Sequence, residues 1–328
     1  MTGKTIEISV VIPVYNSAQS LHELYYRLRG VLGEKLKKTY ELVFVDDSSA
    51  DNSWAILEEL RQLDCCVKTI RLMRNFGQHN AIVCGLNNCS GQYVVTIDDD
   101  LQHPPEEIPR MLAEIEKGYD VVYGVYDEKK HSILQNLGSA CIHFLHNRIL
   151  GNPRQLRSTS FRLLRRNVVE YIVARAQSEF CYITAHIMKY VTPDKIGNIM
   201  IAHQPRKSGR SNYTILKMFS LASNLLINYS AIPLRFTIYA GFALSGGCIL
   251  YAVYLLLRVI FGGPVQIAGW ASLAFLTTFL FGMLFLFLGI IGEYIFRILR
   301  EVSGNEPYII KEIRGFNPGS PNRTDTTC

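Results

Sequence analysis

Glycine is missing from the turn after the first β-rich run of this sequence, PVYNSAQS, and no GxxxxGK[ST] segment occurs among its 328 residues. Dinucleotide and triphosphate cradles need glycines there so that the backbone can close on the phosphates. Hydride transfer from a bound dinucleotide and P-loop nucleotide hydrolysis are therefore disfavoured. Paired cysteines are missing as well. Eight cysteines occur, but none is in a CxxC pair and no His/Cys run has zinc spacing. Reduced thiols in a cytosolic domain, without a structural metal, are expected. MTGKTIEISVVIPVYN lacks an apolar leader core, so no signal peptide is expected. Charge is scarce, with Asp, Glu, Lys and Arg at 19%, a net charge of +6 and a mean hydropathy of +0.12. A hydrophobic content of 48% excludes a disordered chain, a collagen and a disulfide-stapled mini-protein.

The shortage of charge is concentrated at one end. Up to about Tyr229 charged residues are frequent, whereas Phe236–Leu257 and Val259–Gly292 contain none. About 20 apolar residues cross a hydrocarbon core about 30 Å thick. The first run meets that length. The second opens with FGGPVQIAGW, a Gly- and Pro-bearing turn, so its span is expected near Ala271–Ile291. Arg235 precedes the first span, and Arg297, Arg300 and Lys311 follow the second. Apart from Arg258 at its edge, the connection between the spans carries no positive charge. The positive-inside rule then places both ends of the hairpin, and the large domain, in the cytoplasm. Ahead of it, Ile215, Leu216, Met218, Phe219, Leu221, Leu225 and Leu226 approximate a helical apolar stripe ending before Pro233. That pattern predicts a helix lying on the membrane surface, with a core helix of the soluble domain as the alternative.

In the N-terminal part, β-rich runs alternate with helical patterns. ISVVIPVY, ELVFVDDSS, VKTIRL, YVVTIDDD and YDVVYGV read as strands. Segments around Leu21–Leu32, SWAILEELRQL, GQHNAIVCGLNNC and PPEEIPRMLAEIEKG read as helices. Ser49, Asp51 or Asn52 is placed to cap the second. This order predicts an α/β fold with a mostly parallel sheet and helices on both faces. Ligands of such sheets sit beyond the carboxyl ends of the strands, where Asp46, Asp47, Asp98, Asp99 and Asp100 all fall. Carboxylate and amide oxygens at Asp98, Asp100 and Gln102 suit Mg2+ or Mn2+. A D-x-D triplet alone is also an ordinary solvated turn.

The motifs VIPVYN, FVDDSSADNS, RNFGQHNAIVCGL, IDDDLQHPPEEIP, SFRLLRR, RKSGRSNY, PLR and GEYIFRILREV…PYII follow one another in fixed order. Together they resemble the polyprenyl-phosphate glycosyltransferases of glycosyltransferase family 2. That group includes bactoprenol glucosyltransferases, dolichol-phosphate mannose synthases and undecaprenyl-phosphate formamido-arabinose transferases. NFGQHNAI is most similar to the last of these, and the resemblance runs to about Ile310. It implies a GT-A fold and an inverting transfer from a nucleotide-diphosphate sugar to a polyprenyl (undecaprenyl) phosphate, for cell-envelope or lipopolysaccharide modification. It also implies a cytosolic GT-A domain at 1–211, a juxtamembrane helix at 212–232, spans at 233–260 and 268–297, and a cytosolic tail at 298–328. The location implied is the inner membrane, and relatives form tetramers.

By the same resemblance, Pro13, Tyr15, Asn16, Asp46, Asp47 and Asp98 would hold the donor nucleotide. Asp98, Asp100 and Gln102 would hold the metal. Arg206, Lys207 and Ser211 would meet the acceptor phosphate, and Asp100, Arg162 and Arg206 would carry catalysis. The chain departs from the pattern at Ser160 and Leu156, where relatives carry an Asp near F-R. His103 stands after Leu101-Gln102 in place of an acidic or Asn residue, and Asp99 replaces a small one. Two alternatives follow. One is an inactive sugar-nucleotide-binding partner of a membrane glycosylation complex. The other is a processive polysaccharide synthase, which needs a Q-x-x-R-W element that Trp54 and Trp270 do not provide. The arginines between Arg154 and Arg166 have no aromatic interleaving, so an anionic membrane explains them better than nucleic acid does.

Overall fold

The computed structural model describes residues 6–126, 157–176, 182–201, 232–262, 269–302 and 306–316. The chain divides into two compact units, 1–212 with 304–328, and 213–303. In the first unit eight strands form one sheet: β1 (Ile8–Val14), β2 (Tyr40–Asp46), β3 (Val67–Leu72), β4 (Tyr93–Thr96), β5 (Val121–Tyr126), β6 (Arg162–Arg165), β7 (Ile196–Ile201) and β8 (Ile310–Arg314). Their order is β7-β5-β6-β4-β1-β2-β3-β8. Parallel pairing joins β4 to β1, β1 to β2, β2 to β3 and β5 to β7. β6 runs antiparallel between β4 and β5, and β8 is antiparallel to β3.

All seven residues of β1 are buried, as a strand covered on both faces requires. On one face pack α1 (Leu21–Arg29), α2 (Ser53–Leu63) and α4 (Ile108–Ile115), through Leu24, Leu28, Leu57, Leu60, Met111 and Ile115. On the other pack α3 (Gln78–Asn88), α5 (Arg166–Arg175) and α6 (Ile183–Tyr190), through Ile82, Leu86, Val168, Ile172, Ile183 and Ile187. Asp51 Oδ1 accepts from Ser53 N (3.0 Å) just ahead of α2, whereas Asn52, at the N-cap itself, makes no side-chain capping bond. Pro13 lies within a central strand although it has no N–H to give. The β4 ladder on β1 stops at the Val11–Thr96 pair, so at Pro13 one neighbour has already turned away. Just beyond that point the chain after β4 turns through Asp98, Asp99 and Asp100.

Three strands, β6, β7 and β8, lay beyond the sequence reading, β7 closing the sheet beside β5. RLLR is too short, and too hemmed by arginine, to give a period-two signal, yet it fills the space between β4 and β5. Residues 310–314, expected in a tail, form the edge strand β8 instead.

The second unit contains two long helices, α7 (Ile232–Gly262) and α8 (Trp270–Val302). Pro233 is tolerated in the first turn of α7, where its missing N–H has no helical partner to lose. Among the described residues, one window, Phe279–Phe296 in α8, is long and apolar enough to cross a membrane, and none of it is buried. The expected surface helix at 212–232 lies outside the described residues, except for the first residue of α7.

Candidate active site at the carboxyl ends of the strands

Two loops leaving adjacent parallel strands are laced together. Asn16 N donates to Ser49 Oγ (3.0 Å), and Ala50 N donates back to Asn16 Oδ1 (2.8 Å). Ser17 N reaches Ser53 Oγ (2.9 Å) and Ala18 N reaches Asp51 Oδ2 (3.1 Å). Short polar side chains make this possible, because Asn, Ser and Asp satisfy loop backbone that a ladder cannot. Asn16 (φ 54°) and Ser48 (φ 61°) adopt left-handed backbone, as does Leu101 (φ 61°) beyond β4. Each costs about 1–2 kcal/mol for a non-glycine residue, so strain is concentrated at this rim. Tyr15 is 50% exposed at the rim.

Asp46 and Asp47 are placed differently from one another. Asp46 is fully buried at the end of β2, accepts from Ser49 N (3.1 Å) and pairs with Arg71 Nε (3.3 Å), whose guanidinium lies over Trp54. Asp47 takes Phe76 N on one oxygen (2.7 Å) and Gly77 N on the other (2.8 Å). Burial pushes both carboxyls above the usual range, against hydrogen bonds that pull them down.

The turn after β4 gathers Asp98, Asp99 and Asp100. Asp98 Oδ1 accepts from Gln78 Nε2 and Oδ2 from Ser160 Oγ, both at 2.6 Å, and His103 Nδ1 lies 3.8 Å from Oδ2. Asp99 Oδ2 accepts from Tyr15 N (3.2 Å), which ties this turn to the loop after β1. Burial pushes Asp99 up to about 7, and the neighbouring Asp98 and Asp100 add to it. Asp100 Oδ1 accepts from Gln102 N (3.1 Å). Three carboxylates crowded into one turn fit a divalent cation, whose charge offsets their mutual repulsion. Asp98 and Asp100 would supply hard oxygens to it, and substrate phosphates or water would fill the remaining positions. A different group, Asp64, Cys65 and Cys66, has ligand atoms within 4.8 Å of one another, at the opposite end of the sheet before β3. Asp64 is already engaged there by Cys66 N (2.8 Å) and Tyr25 Oη (3.1 Å), and burial pushes the Cys66 thiol up to about 12.

Of the expected site residues, Pro13, Tyr15, Asn16, Asp46, Asp47, Asp98, Asp100 and Gln102 all lie at this edge, at or just beyond the ends of β1, β2 and β4. Arg162 is 1% exposed, below the rim on β6. Its Nε donates to Thr96 Oγ1 (3.1 Å) and its Nη1 to Thr184 Oγ1 (3.4 Å). Arg206, Lys207 and Ser211 lie outside the described residues. Sequence reasoning missed Gln78 and the part that Ser160 plays. The available signal was a Gly-Gln pair opening a helix five residues after a strand, on the edge that holds the acidic residues.

A mostly parallel α/β sheet with an antiparallel β6, and acidic turns gathered at its carboxyl edge, is a GT-A-like glycosyltransferase architecture. The profile of Glycosyl transferase family 2 matches residues 9–173, and the chain belongs to that family. It is 36% identical over 322 residues to the undecaprenyl-phosphate 4-deoxy-4-formamido-L-arabinose transferase of Pseudomonas fluorescens (strain Pf0-1), covering 96% of this chain and 92% of that one. The transferase of the same name from Proteus mirabilis (strain HI4320) is 34% identical over 325 residues, with 98% of each chain covered. Among solved structures, the glucosyl-3-phosphoglycerate synthase of Mycobacterium tuberculosis in complex with Mn2+, UDP and glucosyl-3-phosphoglycerate aligns at a TM-score of 0.49 and 14% identity. That alignment covers 68% of this chain and 78% of the other.

Proposed function

We propose that this enzyme moves a sugar, with inversion, from a nucleoside-diphosphate donor to undecaprenyl phosphate at the cytoplasmic face of a membrane. The observation that carries this reading is the acidic turn after β4, set beside the laced loops that follow β1 and β2. Its relatives are named for 4-deoxy-4-formamido-L-arabinose, so that sugar is the first donor group to test. Tyr15 offers its ring to the base, and the loop around Asn16 closes beneath the nucleoside. Asp98 and Asp100, with Gln102 beside them, hold Mg2+ or Mn2+, which when bound offsets the diphosphate charge as the leaving group departs.

The acceptor phosphate is already an anion at neutral pH and needs no strong base. Ser160 and Leu156, the two positions at one of which relatives commonly carry an Asp, are compatible with that chemistry. Arg206, Lys207 and Ser211 receive the acceptor phosphate, and buried Arg162 supplies a fixed positive charge below the rim. A phosphate oxygen attacks the anomeric carbon, and the bond to the diphosphate breaks with its electron pair leaving on the nucleotide. Holding two anions in line supplies most of the acceleration. α7 and α8 form a membrane hairpin with both ends in the cytoplasm, as the flanking Arg235, Arg297 and Arg300 favour.

Purified full-length protein supplied with labelled nucleotide sugars, Mg2+ or Mn2+ and undecaprenyl phosphate should move label into the lipid extract. Chelation with EDTA should abolish the transfer. Label in polymer, or tight donor binding without turnover, would refute the proposal. Asp100→Ala should fold and remain in the membrane but lose transfer, and wild-type turnover in that variant would remove the metal role. Arg206→Ala should chiefly raise the KM for the lipid acceptor, and an unchanged acceptor KM would overturn its assignment.

A further inference from the structure

The RNFGQHNAI motif has no role in the chemistry described so far. Its turn between β3 and α3 nevertheless touches two acidic strand ends. Phe76 N and Gly77 N are anchored on Asp47 beyond β2, and from that anchor Gln78 Nε2 reaches Asp98 beyond β4. Gly77 makes the geometry possible with φ +89°, a conformation other residues adopt only under strain. From the other side Ser160 Oγ donates to the second oxygen of Asp98, while its own carbonyl is fixed by Thr96 Oγ1 (2.6 Å). We propose that Gln78 and Ser160 are positioning residues that clamp Asp98 from both sides, orienting it toward the metal-bound diphosphate of the donor.

This rests on the metal role of Asp98 given above. Asp98 stands where the β4 ladder on β1 has ended, so no pairing on that side holds its backbone in register. Its side chain has several staggered rotamers to choose from. A carboxylate has about four lone-pair sites, so two donors leave the rest for a cation. Both donors are neutral, so they fix direction without cancelling the charge that a cation needs, as a Lys or Arg in either place would. An Asp at position 160 would face Asp98 with like charge.

The test uses purified full-length protein in detergent. Mn2+ binding is read by electron paramagnetic resonance with UDP, GDP, ADP and CDP in turn, beside donor KM and kcat. Gln78→Ala and Ser160→Ala should each weaken Mn2+ binding by about tenfold to a hundredfold, the range for outer partners of metal ligands. Donor KM should rise in parallel and the thermal midpoint should stay at the wild-type value. Ser160→Thr, which keeps the hydroxyl, should restore Mn2+ binding. Wild-type Mn2+ affinity in both alanine variants, with loss in Asp98→Asn, overturns the clamp alone. A loss that tracks a falling thermal midpoint and is not rescued by Ser160→Thr also overturns it, since the residues would then be structural. Mn2+ binding in Asp98→Asn equal to wild type, or none in wild type with any of the four nucleotides, overturns the metal reading itself.

Discussion

Single side chains at the rim show how far residue type can be read without coordinates. The carboxylates announce themselves, because five Asp at two strand ends form a pattern visible in one dimension. Their division of labour is not visible there. Asp46 is spent on Arg71 and Asp47 on backbone N–H groups, while Asp98 accepts from neutral side chains far away in sequence. Adjacency in sequence cannot encode those partners. His79 shows the same limit. It stacks edge-on against Tyr182 at 5.2 Å, and burial, with Arg162 adding, holds it down to about 4 from an ordinary 6.5. Its proton is therefore bound more readily by the unfolded chain. Above pH 6.5 His79 contributes nothing to pH dependence, and between 6.5 and about 4 stability falls, by at most about 3 kcal/mol. His79→Phe should flatten that acid limb in urea unfolding measured at successive pH values. An unchanged slope would show that other groups set it.

Elements were more legible than their junctions. VKTIRL and SWAILEELRQL coincide with β3 and α2, because apolar run length and period specify them. β6, β7 and β8 escaped because pairing with distant neighbours, rather than local pattern, makes them strands. α3 shows what such packing demands. A methyl on Gly85 would lie 2.3 Å from Val11 Cγ1 and 3.2 Å from Val45 Cγ2. Helix preference favours Ala there by about 1 kcal/mol. Overpacking opposes it by about 1–3 kcal/mol, so Gly85→Ala should lower the denaturation midpoint. A raised midpoint would mean that α3 can shift away from β1. On the far edge, Phe316 is 8% exposed in the core beside β3, with Lys68 over its ring at 4.9 Å. Phe316→Ala should cost about 3–5 kcal/mol in chemical denaturation. A cost below about 1 kcal/mol, the level of a surface change, would show that the C-terminal segment contributes little to the fold.

At the scale of the whole chain, two uncharged runs in one sequence are a physical statement about solvent. α8, at 33 residues and about 1.5 Å per residue, is about 50 Å long, more than a hydrocarbon core of about 30 Å needs. Its apolar window Phe279–Phe296 is unburied in the protein, so lipid is the medium that suits it. Leu288→Arg, near the middle of that window, should cost about 3 kcal/mol of insertion free energy. The corresponding observation is a larger share of protein released by alkaline extraction of membranes. Retention equal to wild type would argue that this window does not sit in lipid.

β8 follows both long helices in the chain, yet it completes the sheet that begins at Ile8. During synthesis the ribosome must therefore emit α7 and α8 before the last strand can find β3. The sheet can be finished only after both apolar helices have been synthesised.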